Sequence, residues 1–474
     1  MHRTIKTVIF SLALAAILLF AVSGTAFAQA GVTTLPGSLP DGATFLIQVP
    51  ANWNGTLFLY SHGYVVPGAA NPAEDVGDPV TGAFMLASGY ALAGSSYAHT
   101  GWAVQEALVD QIAVLDIFDN AFGHPRRTIA WGHSLGGMIT AGLIQRNPHR
   151  FDAALPMCGV LAGGVATWNT ALDAEVAFST LIAPGSGLQV VNITNPTANF
   201  ELAEEILAEA QATPQGRARI ALGAALGNTP GWFTSLSPEP APTDYASQEE
   251  NQFLWDAEVD FPFVFAFREE LELRAGGNVS WTTGVDFRQQ FNLSLDREEV
   301  KALYREAGLN LDADLDALNH AARIKANPEA VEYLENNVIY NGRIHFPVLT
   351  LHTKGDGLVV DENESAYKQV VDEAGNGEFL RRDFIDRAGH CAFTPAETIA
   401  AVGKLIDRVD TGRWHGDVSE LNAAASALGP DFNIFATSAG VFETPPAFIE
   451  LHPGPYLRPF DVFDRECVFG FGCH

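Results

Sequence analysis

Basic residues are scarce in this sequence. Its 474 residues include 27 Lys and Arg against 56 Asp and Glu, which gives a formal net charge of -29 at pH 7. Proteins that bind nucleic acid or an anionic membrane surface present positive patches to it. The charge balance therefore argues against both kinds of partner, and we interpret the acidity as favouring solubility.

Long apolar runs are missing after residue 30. Before it, Arg3 and Lys6 precede the run VIFSLALAAILLFAV, and Ala26-Phe27-Ala28 ends the segment. This pattern predicts a signal peptide over residues 1–28, because the run is short for a membrane span and small residues mark a cleavage site. An uncleaved anchor is the alternative. We expect a secreted protein, extracellular or periplasmic, with no membrane attachment after cleavage.

Cysteine is rare as well. The four cysteines, Cys158, Cys391, Cys467 and Cys473, all follow the predicted signal peptide. In an oxidising compartment an even number indicates two disulfides, and four cysteines allow three pairings. The short loop CVFGFGC favours a Cys467–Cys473 bond, which leaves Cys158 with Cys391. Their spacing is not that of a zinc site, and we expect no metal.

Strand-like and helix-like segments alternate in two parts of the sequence. The strand-like segments are ATFLIQV (43–49), TLFLYS (56–61), YALAGSSY (90–97), RTIAW (127–131), FDAALPMCGV (151–160), FPVLTLHT (346–353) and EFLRRDFI (378–385). Helix-like segments lie at 103–122, 135–147 and 394–409. This alternation predicts an α/β fold with a mostly parallel sheet covered by helices on both faces.

A long helical stretch separates the two alternating parts. Residues 161–343 contain segments such as FELAEEILAEAQA and REEVKALYREAGL. The simplest interpretation is one core at 31–160 and 344–409 with a helical cap or lid inserted at 161–343. Two independent domains are the alternative. Residues 410–474 are rich in Pro, Phe and Gly, and we expect this C-terminal extension to pack on the core.

Ser134 is the candidate nucleophile. It lies in TIAWGHSLGG, where a buried strand ends and a helix begins, and the surrounding residues fit the pattern G-x-S-x-G. Gly132 and Gly136 allow neighbouring chains to approach a sharp turn, and the N-terminus of the helix favours developing negative charge. A purely structural turn is the alternative.

His390 is the candidate base for this serine. It lies in DRAGHCAF, in a glycine-containing loop between a predicted strand and a helix. His352 lies inside a strand, where packing or hydrogen bonding is the commoner role. His133 adjoins Ser134, but neighbouring residues of a tight turn point apart. The remaining histidines considered, in polar surface-like contexts, are His149, His320 and His415.

Asp356 is the candidate acid that orients the histidine. In HTKGDGLV it follows a strand directly, so a buried carboxylate there can accept the ring N–H of His390. Asp361, a few residues on, is the rival. Asp383 and Asp386 are weaker candidates, because they lie in or just after the next strand.

Two backbone N–H groups are candidates for binding an oxyanion. One belongs to Leu135, directly after the nucleophile, and the other to Tyr64 in YSHGY, after an early strand. Gly63 allows close approach there. Each of the four components therefore lies at the end of a predicted strand.

The set YSHGY, WGHSLGG, KGDGLV and AGHCAF resembles the α/β-hydrolase superfamily over residues 43–160 and 344–409. The resemblance implies Ser134 as nucleophile, Asp356 as acid and His390 as base, with Tyr64 and Leu135 forming the oxyanion hole. It also implies a cap after the strand that follows the nucleophile helix, where the 161–343 insert begins.

The Cys directly after the candidate base, Cys391 after His390, is a pattern that resembles the secreted tannase and feruloyl-esterase types. In those enzymes a second Cys directly precedes the nucleophile and bridges to the first. Here His133 stands at that position instead. Cys158 is the alternative tether, and the partner of Cys391 stays open.

We expect a secreted serine esterase that needs no cofactor and acts on a bulky apolar or aromatic ester, either a phenolic ester or a polyester. Cap aromatics would cover the substrate: Trp232, Phe233, Trp255, Phe261, Phe263 and Trp281. For most of them a place in the core of the cap is the competing interpretation. The alternative functions are an exopeptidase of the prolyl or tripeptidyl aminopeptidase type and a non-catalytic binding protein. The sequence predicts neither the oligomeric state nor the substrate's identity.

Overall fold

The computed structural model of the protein describes residues 31–437 and 440–460. The predicted signal peptide at 1–28 and the predicted Cys467–Cys473 bond lie outside these residues. Within the described ranges, every helix is too short or too polar to cross a membrane.

The strands form one large sheet and one small hairpin. They are β1 Val32–Ser38, β2 Thr44–Pro50, β3 Thr56–Ser61, β4 Ala91–Ser95, β5 Arg127–His133, β6 Ala153–Met157, β7 Val348–Gly355, β8 Leu380–Ala388, β9 Ile434–Thr437, β10 Gly440–Glu443 and β11 Phe448–Ile449. The nine-stranded sheet has the order β1-β2-β4-β3-β5-β6-β7-β8-β11, and β9 pairs with β10 alone.

Helices fill the connections between these strands. They are α1 Pro79–Ala87, α2 Val104–Phe122, α3 Leu135–Arg146, α4 Gly163–Leu181, α5 Pro196–Gln211, α6 Pro214–Gly227, α7 Tyr245–Trp255, α8 Arg268–Ala275, α9 Phe287–Leu293, α10 Arg297–Ala307, α11 Leu311–His320, α12 Pro328–Val338, α13 Asn363–Glu373, α14 Pro395–Thr411 and α15 Val418–Ala427. Two π-helical turns, Asp256–Asp260 and Phe263–Phe267, join α7 to α8.

The central strands pair in parallel from β4 through β3, β5, β6 and β7 to β8. Antiparallel strands β1, β2 and β11 complete the two edges. Strand β3 is buried throughout, because its residues serve two cores. Leu57 and Leu59 pack into the core on the side of α2 and α3, whereas Phe58 and Tyr60 pack into the core on the side of α14 and α15. The predicted α/β fold with a mostly parallel sheet is confirmed.

Helices α4 to α12 lie between β6 and β7 and bury apolar clusters of their own. Leu222 and Phe287 are fully buried in one cluster, and Phe265 in another. This arrangement agrees with a helical insert after β6. The boundaries at residues 161 and 343, and the insert's role as a cap, stay predictions.

The chain after α14 returns to the sheet. Phe448 of β11 pairs with Ile385 of β8, and the buried Leu421 and Ala425 of α15 join the core on the α14 side. The described part of the C-terminal region thus packs against the strand that precedes His390.

Candidate active site

The turn between β5 and α3 holds Ser134 in an unusual backbone conformation. Its φ of 59° and ψ of -125° lie where L residues are rarely found. The Ser134 N–H donates to the carbonyl oxygen of Met157 on β6 at 3.0 Å. A side chain at Gly132 or Gly136 would overlap the carbonyl oxygen of Ser61 on β3. The glycines therefore let β3 approach the turn and fix where Ser134 stands.

Ser134, His390 and Asp356 form a continuous hydrogen-bonded chain. Ser134 Oγ lies 2.8 Å from His390 Nε2, and His390 Nδ1 lies 2.8 Å from Asp356 Oδ2. The three residues follow β5, β8 and β7, whose carboxyl ends share one edge of the sheet. With Asp356 ionised, Nδ1–H donates to the carboxylate and Nε2 accepts the serine hydroxyl. The imidazole can therefore remove the serine proton.

The structure brings Asp356, rather than its rivals, to the imidazole of His390. Its carboxylate is fully buried, and its Oδ1 accepts the N–H of Val359 at 3.0 Å. Asp383 binds Lys404 at 2.8 Å, and Asp386 lies 3.4 Å from the amine of Lys354. In the described ranges, the hydrogen-bond partners of the His390 ring do not include Asp361.

His133 lies beside the site, but its ring is engaged elsewhere. The hydroxyl of Tyr60 is 3.1 Å from His133 Nδ1. Burial, together with the positive charge that His390 can carry, lowers the pKa of His133 to about 4. His133 is therefore a neutral neighbour of the triad over most of the pH range.

His352 forms a buried charged cluster under Asp356. Its Nδ1 lies 3.2 Å from Glu364 Oε1, and its Nε2 lies 2.7 Å from the carbonyl oxygen of Val359. Asp356 Oδ2 is 3.7 Å from the same Nε2. Burial by itself lowers the pKa of His352, but the hydrogen bond and charge of Glu364, with the charge of Asp356, raise it to about 9. The sequence predicts a packing or hydrogen-bonding role for His352, but it does not predict the raised pKa of this imidazole.

The candidate oxyanion site adjoins Ser134. A Cβ atom at Gly63 would lie 3.3 Å from the Cβ of Ser134, which places the loop carrying Tyr64 next to the nucleophile. The ring of the buried His62 fixes this loop, since its Nδ1 contacts the carbonyl oxygen of Gly63 at 2.8 Å. Leu135 is the first residue of α3, where backbone N–H groups have no acceptor within the helix.

A disulfide joins Cys158 to Cys391 across 233 residues. It ties the loop of His390 to the end of β6, and Cys391 Sγ lies 3.4 Å from His390 Nε2. These two sulfurs and the imidazole are close enough together to suggest a metal site. The sulfurs, however, are bonded to each other, and the imidazole is already bound to Ser134 and Asp356.

A cavity opens at Ser134 and extends under the helices between β6 and β7. Its empty space amounts to about 1240 Å³, a volume that includes the part open to solvent. Aromatic residues form much of its wall: Tyr64, Trp102, Trp168, Phe178, Phe261, Phe263 and Phe265. Of the six aromatics proposed from the sequence, Phe261 and Phe263 line this cavity, whereas Trp255 is buried against Phe233. Trp102 and Trp168 were missed, because no local pattern distinguishes them from core residues.

The strand order and the hydrogen-bonded Ser134, His390 and Asp356 define a serine hydrolase with the α/β-hydrolase fold. In agreement with this class, a model of the prolyl oligopeptidase family matches residues 89–180. That match spans β4 to α4 and includes Ser134, whereas Asp356 and His390 lie beyond it. The chain is thus a serine hydrolase of the α/β-hydrolase superfamily.

Similar proteins include enzymes that act on different bonds. An o-phthalyl amidase from Xanthobacter agilis is 29% identical over 430 residues, which cover 82% of this chain and 90% of that protein. Among solved structures, feruloyl esterase B from Aspergillus oryzae has 13% identity and a TM-score of 0.38, with 80% of each chain covered. An esterase from Aspergillus oryzae has 12% identity and a TM-score of 0.40, with 90% of this chain and 88% of that chain covered.

Proposed function

We propose that this serine hydrolase cleaves carboxylic esters, with Ser134 as nucleophile, His390 as general base and acid, and Asp356 as the residue that orients His390. The observation that carries the proposal is the hydrogen-bonded chain of these three side chains, with 2.8 Å at both steps. A serine hydroxyl is a weak nucleophile until an adjacent base takes its proton, and this arrangement provides that base.

In the proposed acylation step, Ser134 Oγ attacks the ester carbonyl while its proton passes to His390 Nε2. Asp356 stabilises the imidazolium that forms, without itself taking the proton. The tetrahedral intermediate collapses, the acyl–oxygen bond breaks, and His390 returns the proton to the leaving alcohol. Water then attacks the acyl-serine by the same route, so that an acid is released and Ser134 is regenerated.

The backbone N–H groups of Leu135 and Tyr64 are proposed to bind the oxyanion of both intermediates. Leu135 begins α3, so its amide lies at the positive end of the helix dipole. Fixed donors of this kind act without reorganising as charge develops, and one donor is typically worth about 10²–10³ in rate.

A bulky apolar or aromatic ester suits the cavity at Ser134. Its aromatic walls favour an apolar substrate group over a small polar one. Most of these walls come from residues between β6 and β7, including Phe261 and Phe263. We propose that residues 161–343 act as a cap over the substrate, which can be a phenolic ester or part of a polyester.

Hydrolysis of an aromatic amide is the second candidate. It is favoured by the similarity over most of the chain to an o-phthalyl amidase. The same triad and oxyanion donors serve both reactions, and amide cleavage depends more strongly on protonation of the leaving nitrogen by His390. The prolyl or tripeptidyl aminopeptidase function and the non-catalytic binding function are the further alternatives.

A matched pair of substrates separates these candidates. Phenyl benzoate and benzanilide differ in the leaving atom, and their hydrolysis can be followed by chromatography. With rates normalised to alkaline hydrolysis, we expect a higher kcat/KM for the ester. A higher normalised value for the amide would replace the esterase proposal, and turnover of aminoacyl anilides alone would favour the exopeptidase.

Export of the protein is also a proposal. The segment at 1–28 has the composition of a signal peptide, and the Cys158–Cys391 bond suits an oxidising compartment. Cleavage in a secreting host can be checked by N-terminal sequencing of the protein recovered from the medium. Recovery of the protein only from cytoplasm, with an intact N-terminus, would contradict it.

A further inference from the structure

Two acidic side chains line the cavity at Ser134, among its aromatic walls. Asp256 and Asp260 both lie on the first π-helical turn and both face this cavity. Among the residues that the structure describes, neither carboxyl has a hydrogen-bond or ion-pair partner. The nearby charges that act on them are other carboxyls, namely Glu249 on Asp256, and Asp256 and Asp356 on Asp260.

Glu175 adds a third carboxyl to the cavity wall. It is only 3% exposed, and its Oε1 accepts a hydrogen bond from Arg268 Nη1 at 3.2 Å. Its Oε2 is buried and has no hydrogen-bond partner in the part of the chain that the structure describes. Burial raises the pKa of Glu175 to about 8 in spite of Arg268, so this part of the cavity wall also disfavours an unpaired carboxylate.

Arg219 is the one basic residue that lines the cavity among the residues described, and it already forms an ion pair. Arg219 donates to both carboxylate oxygens of Asp314, at 2.8 and 3.3 Å. The indole N–H groups of Trp102 and Trp168 have no hydrogen-bond partner within residues 31–437 and 440–460, but they carry no charge. They suit the neutral oxygens of a substrate. Arg219 is therefore not available to Asp256 or Asp260, and the described residues of the cavity wall offer these carboxyls no positive partner.

The electrostatic environment of the two aspartates favours binding of a cation. Burial raises the pKa of Asp256 to about 8. Burial, with the charges of Asp256 and Asp356, also raises the pKa of Asp260. Both shifts show that the carboxylate form lacks a positive partner in the protein alone. A bound ammonium group would supply it, and the surrounding aromatic rings would add cation–π attraction.

Resting on the proposed hydrolase function, we propose that this cavity selects substrates carrying a protonated amine, with Asp256 and Asp260 as its counter-charges. The amine belongs to the substrate part that lies between the aromatic walls, away from the scissile carbonyl. A substrate with a carboxylate in the same position finds no cation there and loses its hydration in a confined, largely aromatic space, so it is disfavoured.

Three para-nitrophenyl esters of nearly equal shape test this selection. They are the esters of para-(aminomethyl)benzoic, para-ethylbenzoic and para-(carboxymethyl)benzoic acid, which present a cation, a neutral group and an anion. With kcat/KM normalised to alkaline hydrolysis, we expect the cationic ester to exceed the neutral one by about tenfold or more. The anionic ester should fall below the neutral one.

Variants link this preference to the two carboxyls. Asp256→Asn and Asp260→Asn should bring the cation-to-neutral ratio towards one, with folding checked by fluorophosphonate labelling of Ser134. Glu258→Gln is the matched control, since Glu258 lies on the same π-helical turn but does not line the cavity. It should keep the wild-type ratio.

Two results would overturn the proposal: a wild-type ratio at or below one, and a preference that survives in both aspartate variants. If the wild type hydrolyses none of the three esters, the proposed esterase function fails. If it hydrolyses the neutral ester without charge preference, only the selection for an amine fails.

Discussion

His352 is a buried residue whose ring lies 3.7 Å from Asp356 of the proposed triad. The carbonyl of Val359 can only accept a hydrogen bond, so Nε2 of His352 must carry a proton. Glu364 as a carboxylate also accepts, so Nδ1 carries one too. The geometry thus describes an imidazolium enclosed with Glu364 and Asp356, and this agrees with its raised pKa.

We expect His352→Gln to impair the proposed triad indirectly, because His352 is a positioning residue beside Asp356. Removing the cation leaves two buried carboxylates uncompensated, and such a loss typically costs about 3–5 kcal/mol in the free energy of unfolding. It also removes a positive charge near His390, so protonation of that base becomes easier. The acid limb of kcat/KM against pH should therefore shift to higher pH, with kcat reduced by about tenfold or more.

The pH profile distinguishes this role from simple destabilisation. A variant that only unfolds loses active sites, as counted by titration with a fluorophosphonate, but keeps the midpoint of the acid limb. His345→Gln is the control, because His345 is exposed and close in sequence. An unshifted midpoint in folded His352→Gln would contradict the proposed role.

Among the elements, those with a continuous or strongly periodic apolar pattern were predicted best. Strand β3 and helix α2 lie within a residue or so of the predicted segments. Strand β1 was missed, since its sequence VTTLPGS contains Pro and Gly and stays partly exposed at the sheet edge. The π-helical turns between α7 and α8 were also missed, because apolar periodicity does not tell an i+5 turn from an α-helix.

The candidate site was accessible from the sequence because each component follows a recognisable strand. The turn at Ser134 requires glycine at fixed positions, and these glycines form the local pattern G-x-S-x-G. The roles of Trp168, Asp256 and Asp260 depend on how distant helices fold over the sheet. No local pattern encodes such contacts.

The Cys158–Cys391 disulfide connects the loop of His390 to the end of β6. We expect the Cys158→Ser/Cys391→Ser variant to lose about 2–4 kcal/mol in the free energy of unfolding, because the bond closes a long loop of the unfolded chain. Its kcat should fall, since Cys391 directly follows His390. Denaturant unfolding and steady-state kinetics measure the two effects.

Treatment with a reductant tests whether loss of the disulfide itself, rather than the serine substitutions, lowers the activity. Dithiothreitol should lower the activity of the wild type towards that of the double variant, and leave the double variant unchanged. Equal stability and activity of the wild type and the double variant would show that the bond does not hold the loop.

Some of the many acidic side chains of the protein lie in its interior. Burial raises the pKa of Glu249 to about 7 and that of Glu299 to about 9. In the unfolded chain the pKa of a Glu is about 4.3. Between these values the folded state holds more protons than the unfolded state, so the free energy of unfolding falls as pH rises.

We therefore expect the melting temperature to decrease from about pH 6 to pH 9. His352 acts in the same direction, because its raised pKa gives stability that is lost as pH rises through about 9. Below about pH 6 the partly buried His133 opposes the trend, since its lowered pKa makes the folded state lose stability as pH falls towards about 4. Thermal melts across this range measure the balance.

Glu299→Gln tests the buried carboxyls as the source of this slope. Glu299 is 3% exposed and its Oε2 accepts from Gln252 Nε2 at 3.3 Å. The variant should flatten the fall in melting temperature between pH 6 and pH 9, whereas Glu298→Gln, at an exposed position of the same helix, should not. A melting temperature that is constant or rising over this range in the wild type would contradict the explanation.

Covalent labelling of Ser134 tests the central claim most directly. A fluorophosphonate reacts with a serine whose proton is removed by an adjacent base, and peptide mapping identifies the modified residue. We predict a single label on the peptide that contains Ser134, none in Ser134→Ala, and normal labelling in the exposed Ser426→Ala. We also predict that Ser134→Ala lowers kcat by about 10⁶-fold. A label on another serine, or hydrolysis unchanged in Ser134→Ala, would contradict the assignment of Ser134 as the nucleophile.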